Sequence, residues 1–285
     1  MTATERTATK PPARYATATD PTPSRVPFSA VHASRERDCA GPDRVTKSLL
    51  GYGVLAGPFT VGLSLAQAFT RPGFDLTRHP WSLLENGDLG WLQVTNFVLT
   101  GLMVIAFAVG LARQQRGDGT TTAPTIAPTR APSTEPSTEP STEPATGTRP
   151  VGRRAPLLIS AYGGGTLLAG LLRADPALGF PVGTTEGVGT ISWHGVGHFV
   201  AAGLGFVALA LGALALGRWY AAQGHPVRAA HARVTAVAFL AGFAMIASGR
   251  GGSVATPAFT AAVILVWGWI AVVAVDRYRA VGDTH

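Results

Sequence analysis

Cysteine is nearly missing. The 285-residue chain has one, Cys39, in a polar N-terminal stretch. No intramolecular disulfide can form, and no thiolate cluster for zinc or iron–sulfur can be built. Charge is scarce as well. Asp, Glu, Lys and Arg make up 14% of the chain, against about 25% in soluble domains, and they collect in tails and loops. No apolar run of signal-peptide type opens the chain, since residues 1–47 are rich in Thr, Pro, Ala and Arg. The first apolar helix is therefore expected to serve as an uncleaved insertion signal. Gly179, Gly183 and Gly187 are too irregularly spaced for a phosphate loop, and no Walker-type Gly-Lys-Ser follows them.

What the chain has in quantity is apolar sequence. Six stretches, Leu49–Thr70, Trp91–Ala112, Pro156–Arg173, Val196–Gly217, Val234–Ser248 and Ala258–Val275, contain almost no ionisable side chains. A hydrocarbon core of ~30 Å takes about 20 helical residues at ~1.5 Å each. The expected fold class is all-α, an integral membrane bundle of six transmembrane helices. The net charge of +7 is explained by the positive-inside rule. Nucleic acid is not an expected partner, because no aromatic-basic surface accompanies the charge. Membrane lipids are, and protein partners are not specified.

Six spans put both termini on one side. Nineteen of the 23 Lys and Arg residues fall on that side, and only Arg71, Arg78, Arg173 and Arg250 on the other. Both termini are thus expected in the cytoplasm, and the plasma membrane is the expected location. The segments read as follows: 1–47, a disordered basic cytoplasmic tail; 48–112, transmembrane helices one and two with an outer loop; 113–154, a cytoplasmic low-complexity linker; 155–277, helices three to six; 278–285, a cytoplasmic tail. The linker holds three copies of Pro-Ser-Thr-Glu, starting at Pro132, Pro136 and Pro140, and has nothing with which to bury a core. Within the spans, Gly53 and Gly57 form a small-xxx-small pair, Gly163–Gly165 invite close helix contact, and Asn96 is expected to bond to another helix. Pro58 is expected to kink the first span.

The chemistry-bearing residues lie on the outer side. His194 and His198, four apart at a helix start, share one face, as in helical zinc sites, but without the Glu of H-E-x-x-H. The plainer alternative is two interfacial histidines bonded to loop backbone. His79, Asp175 and Ser82 sit on the same side, so His79, His194 and His198 are the candidate metal ligands, zinc the candidate cofactor, and Ser82 and Asp175 the catalytic candidates. The plainer reading of Ser82 is a cap for the Leu83–Leu84 turn. Arg71, Asp75, Arg78, Arg173 and Arg250 are the ligand-binding candidates, an anion pocket set against the alternative of snorkelling and internal pairing.

Several of these elements together carry a family resemblance. Gly57-Pro58, Arg71-Pro72-Gly73-Phe74-Asp75, His79-Pro80-Trp81-Ser82-Leu83-Leu84, Gly87-Asp88-Leu89-Gly90-Trp91 and Asn96-Phe97-Val98-Leu99-Thr100-Gly101 lie in the first part. Asp175-Pro176, Gly179-Phe180-Pro181 and His194-Gly195-Val196-Gly197-His198 lie in the second. The chain resembles the bacterial membrane proteins grouped as domain of unknown function 998. That resemblance implies six membrane helices and no established activity, and the Pro-Ser-Thr-Glu insertion looks unusual for the family. A looser analogy runs to the alkaline ceramidases and adiponectin-type receptors, which set three His, an Asp and a Ser around zinc; six spans and a different motif order depart from it. The expected function is binding of a lipid or small ligand at the outer mouth. The alternatives are a zinc-dependent hydrolase of a lipid amide or ester, and a structural or partner-binding subunit.

Overall fold

The computed structural model describes residues 28–120, 154–249 and 252–281. The first 27 residues, most of the Pro-Ser-Thr-Glu linker, Arg250, Gly251 and the last four residues lie outside them. The chain divides into two units, Met1–Ala40 and Gly41–His285, and the membrane bundle belongs to the second.

Six long helices make up the fold: α1 (Phe28–Thr70), α2 (Gly90–Thr120), α3 (Arg154–Leu172), α4 (Trp193–Ala222), α5 (Pro226–Ala247) and α6 (Gly252–Ala280). A 3-10 turn, Trp81–Glu85, lies between α1 and α2. Each helix contains a window apolar enough to cross a bilayer, from Asp43–Thr70 in α1 to Ser253–Ala280 in α6. The protein is a multi-pass membrane protein, and no strand occurs among the described residues.

The apolar runs locate the helices but not all of their ends. Helix α1 begins inside the stretch expected to be disordered and continues without interruption through Pro58. Helix α5 begins at Pro226 rather than near Val234. Its first two turns carry Arg228, His231 and Arg233, so hydropathy fades there while the helix does not. Proline at the first helical position needs no hydrogen-bond donor and already has helical φ.

Consecutive helices pack as neighbours from α2 through α6. Helix α1 closes the circle. A Cβ added at Gly53 would collide with Phe107 of α2 and Ala274 of α6, and one at Gly57 would sit 3.1 Å from the Trp267 Cβ of α6. The small-xxx-small pair therefore admits two neighbours rather than one. Helices α2 and α3 approach even more closely: a Cβ at Gly101 would lie 2.5 Å from the Gly163 carbonyl oxygen. Lipid offers little hydrophobic drive for helix association, so close van der Waals contact of this kind does that work.

Polar bonding adds to it between α1 and α2. The Asn96 amide donates to the Thr60 carbonyl at 3.2 Å and to Ser64 Oγ at 3.0 Å. Gln67 Nε2 donates to Gln93 Oε1 at 2.7 Å. Thr100 Oγ1 donates to Asn96 Oδ1 at 3.2 Å. All of these side chains are buried. Asn96 thus bonds across to the neighbouring helix, as expected for an amide in a span.

Candidate functional site

The segments joining α1 to α2 and α3 to α4 meet over one end of the bundle. Arg71 fixes the first of them. Its Nη1 donates to the Leu84 carbonyl at 2.5 Å and its Nη2 to the Asn86 carbonyl. The guanidinium also lies 5.0 Å from the ring centre of Phe180, on the second segment. Phe180 packs on Leu83, Leu84 and Phe74, and its ring meets Phe74 edge-on at 5.1 Å. A planar fork on two carbonyls, stacked on an aromatic face, is an arrangement that lysine cannot reproduce.

The three histidines go to three different places. His79 Nδ1 accepts the Asp75 amide at 2.8 Å, so its other nitrogen carries the proton and donates to the Leu178 carbonyl at 2.9 Å. Neither ring nitrogen of His79 is left for a metal. His194 is exposed, with Nδ1 2.9 Å from the Ser192 hydroxyl. His198 is buried, and its Nδ1 lies 2.9 Å from the Ala169 carbonyl and 3.3 Å from Glu85 Oε2. Among the described residues, no group of three or more His, Cys, Asp or Glu side chains is placed to hold a metal ion. The donor set that zinc needs is not assembled there.

The remaining candidates have local partners. Asp175 takes the Ser192 amide at 2.7 Å and the Ser192 hydroxyl at 2.6 Å, and Ser192 in turn caps α4 by accepting from the Gly195 amide. Asp75 forms a turn with Thr77, whose hydroxyl and amide both donate to it. Those bonds hold its pKa below the usual carboxylate value. Arg78 pairs with Glu186 at 2.8 Å, both exposed, and a pair of that kind contributes little. Arg173 donates to the Glu85 carbonyl at 2.9 Å. Pro80 occupies the N-cap position of the 3-10 turn, with no side-chain cap, and Ser82 lies inside the turn; Ser82 also lines a cavity.

That cavity lies inside the circle of helices and is touched by all six. Thr60, Thr100, Tyr162, Phe206, Phe239 and Trp267 line its depth, with Trp81, Ser82 and His198 at the end under the two segments. Thr60 stands ten residues before the end of α1, a drop of about 15 Å at ~1.5 Å per residue, or half of a ~30 Å hydrocarbon core. The walls are dominated by aromatic rings: Phe206 meets Phe239 and Phe243 edge-on at 4.8 and 4.9 Å. The cavity volume is about 120 Å³. An apolar cavity of about 150 Å³ holds one benzene ring, so the space suits one ring or one alkyl chain.

Glu85 stands behind His198. Its side chain is 0% exposed. Oε2 accepts the Ala174 amide at 2.6 Å, and Oε1 has no partner. Burial pushes the carboxyl above its ordinary pKa of 4.5, against the pull of His198, the Ala174 amide and Arg173. With the Ala169 carbonyl and Glu85 Oε2 both at Nδ1, that nitrogen carries a proton whether the ring is neutral or charged. Trp81 Nε1 is a buried donor without a partner. At the end under the two segments the cavity is thus lined by an imidazole, a serine and an indole ring.

Glu85 and the aromatic lining were not singled out from the sequence. The signal for Glu85 was present: a lone carboxylate ends the uncharged Trp81-Ser82-Leu83-Leu84 turn. The phenylalanines gave no such signal, because a lipid-facing ring and a cavity-facing ring read alike.

A family model described as "Protein of unknown function (DUF998)" matches residues 54–126 and 143–276. The match omits residues 127–142, which hold most of the Pro-Ser-Thr-Glu repeats. No curated protein and no solved structure matches the chain.

Proposed function

The chain belongs to the DUF998 family, and on that footing we propose that it binds a lipid-soluble molecule with one apolar chain or ring and a single hydrogen-bonding head, held inside the helical bundle. One observation carries this reading: a cavity lined by all six helices is walled mainly by aromatic rings along its depth, with Thr60, Thr100 and Tyr162 among them, and ends at Trp81, Ser82 and His198. Ligand sites are largely apolar, with a few placed polar groups that fix orientation. A volume of about 120 Å³ favours one chain over a two-tailed phospholipid. The head fits a hydroxyl, which both donates and accepts and so suits the Ser82 and His198 end in either charge state of the ring.

The membrane is the plasma membrane in this reading, with the ligand-head end outward. The placing of nineteen of the 23 Lys and Arg residues on the opposite side supports that orientation.

The test uses a long-chain fatty alcohol bearing a diazirine, photolysed with the detergent-purified protein. Saturable labelling of Phe206 and Phe243, lost in Ala202→Phe, is the expected result, since Ala202 also lines the cavity. Labelling confined to exposed positions such as Leu204 and Val207, or unchanged by Ala202→Phe, would refute it.

A further inference from the structure

At the opposite end of the bundle, α5 begins and α6 ends beside an open groove of about 350 Å³, lined by Arg228 of α5 and by Ala271, Val272, Val275, Asp276 and Arg279 of α6. The five α6 positions follow helical spacing along one face. The groove therefore has a direction. Apolar side chains occupy its inner part, and arginines stand at the outer end.

Among the described residues lining the groove, the one acidic side chain is fully engaged. Arg228 Nη1 meets Asp276 Oδ1 at 2.5 Å. Asp276 Oδ2 accepts from Arg277 at 2.6 Å and from the Tyr220 hydroxyl at 2.9 Å. Arg277 is held further by the Trp219 ring, 4.4 Å from its guanidinium. Two arginines thus compensate one carboxylate, and positive charge is left over. Arg279 adds to it: the residue is exposed and makes no hydrogen bond or ion pair among the described residues. In a bilayer, a groove on the outside of the bundle is filled by lipid, and an excess of guanidinium selects among headgroups.

We infer that this groove binds an anionic phospholipid, with its phosphate between Arg228 and Arg279 and one acyl chain along Val275, Val272 and Ala271. The site is independent of the central cavity. It has a different chemistry and lies at the other end of the helices.

The experiment counts bound lipid by native mass spectrometry of the full chain from micelles containing equal phosphatidylglycerol and phosphatidylcholine. A preference for phosphatidylglycerol is expected, falling roughly fivefold in Arg279→Gln, because a juxtamembrane arginine is worth ~1 kcal/mol towards anionic lipid. Arg279 has no partner within the described residues to lose, so a folding defect does not confuse that variant. Arg228→Gln should lower the preference further. The control is Arg113→Gln with Arg154→Gln, two exposed arginines at the same end of the bundle. An equal loss in the control would reduce the effect to diffuse surface charge and overturn the site. So would the absence of any phosphatidylglycerol preference, or its persistence in Arg279→Gln.

Discussion

Replacing Glu85 by glutamine should remove a pH dependence from the stability of the bundle. The wild-type carboxyl is 0% exposed, and its pKa is raised by burial. A raised carboxyl stabilises the fold in its protonated form. Its contribution is complete below the ordinary value of 4.5 and is lost as the pH climbs through the raised value. One proton changes the unfolding free energy by at most about 1.4 kcal/mol per pH unit. For a bundle of this size, that is roughly 3–6 °C in Tm per unit within the window. Glutamine keeps an oxygen for the Ala174 amide, now 2.6 Å from Oε2, and carries no charge at any pH. The Tm of Glu85→Gln relative to wild type should therefore rise as the pH increases above about 4.5, followed by tryptophan fluorescence in one detergent. Alanine differs, since it leaves the Ala174 amide buried without an acceptor, at a cost of about 1–3 kcal/mol at every pH. A Tm difference for Glu85→Gln that stays constant from acid to alkaline pH, or moves the other way, would refute the assignment of Glu85 as a buried, reluctantly ionised carboxyl.

Two further substitutions test the packing. Gly101→Ala would push a methyl group against the Gly163 carbonyl and the Leu167 side chain and should lower stability by about 1–3 kcal/mol. Gly164→Ala meets nothing within 4 Å and should be neutral or stabilise by about 0.5–1 kcal/mol, so matched thermal melts of the two variants should separate in opposite directions. Arg71→Lys should cost about 1–3 kcal/mol by breaking the fork on Leu84 and Asn86 and the stacking on Phe180. Faster proteolysis between residues 71 and 89 would report it, and an unchanged cleavage rate would count against the clamp.

The six membrane helices were legible because the penalty for exposing backbone to hydrocarbon leaves a long apolar run almost no alternative structure. Helix ends were less so. At Pro226–Arg233 the chain leaves the apolar phase while keeping its hydrogen bonds, and hydropathy records only the first event. The site was legible in part. His198 and Ser82 were named from chemistry, and both line the cavity. The grouping of His79, His194 and His198 came from their sharing one side of the membrane, which does not fix where a ring points. Each ring instead has its own neighbour, at Leu178, Ser192 and Ala169. The arginines show the same limit: sequence placed their charges near an interface, but not the loop carbonyls that hold Arg71 and Arg173.

The return of α6 to Gly53 and Gly57 bears on how the protein is made. The first and sixth spans supply adjoining staves of the wall, so the ring stays gapped until the sixth has left the translocon and docked. A product ending after α5 would present Trp267's vacant seat on α1 as a lateral slit towards the acyl phase. In the ligand-binding reading proposed above, loading of the interior then waits for the sixth span.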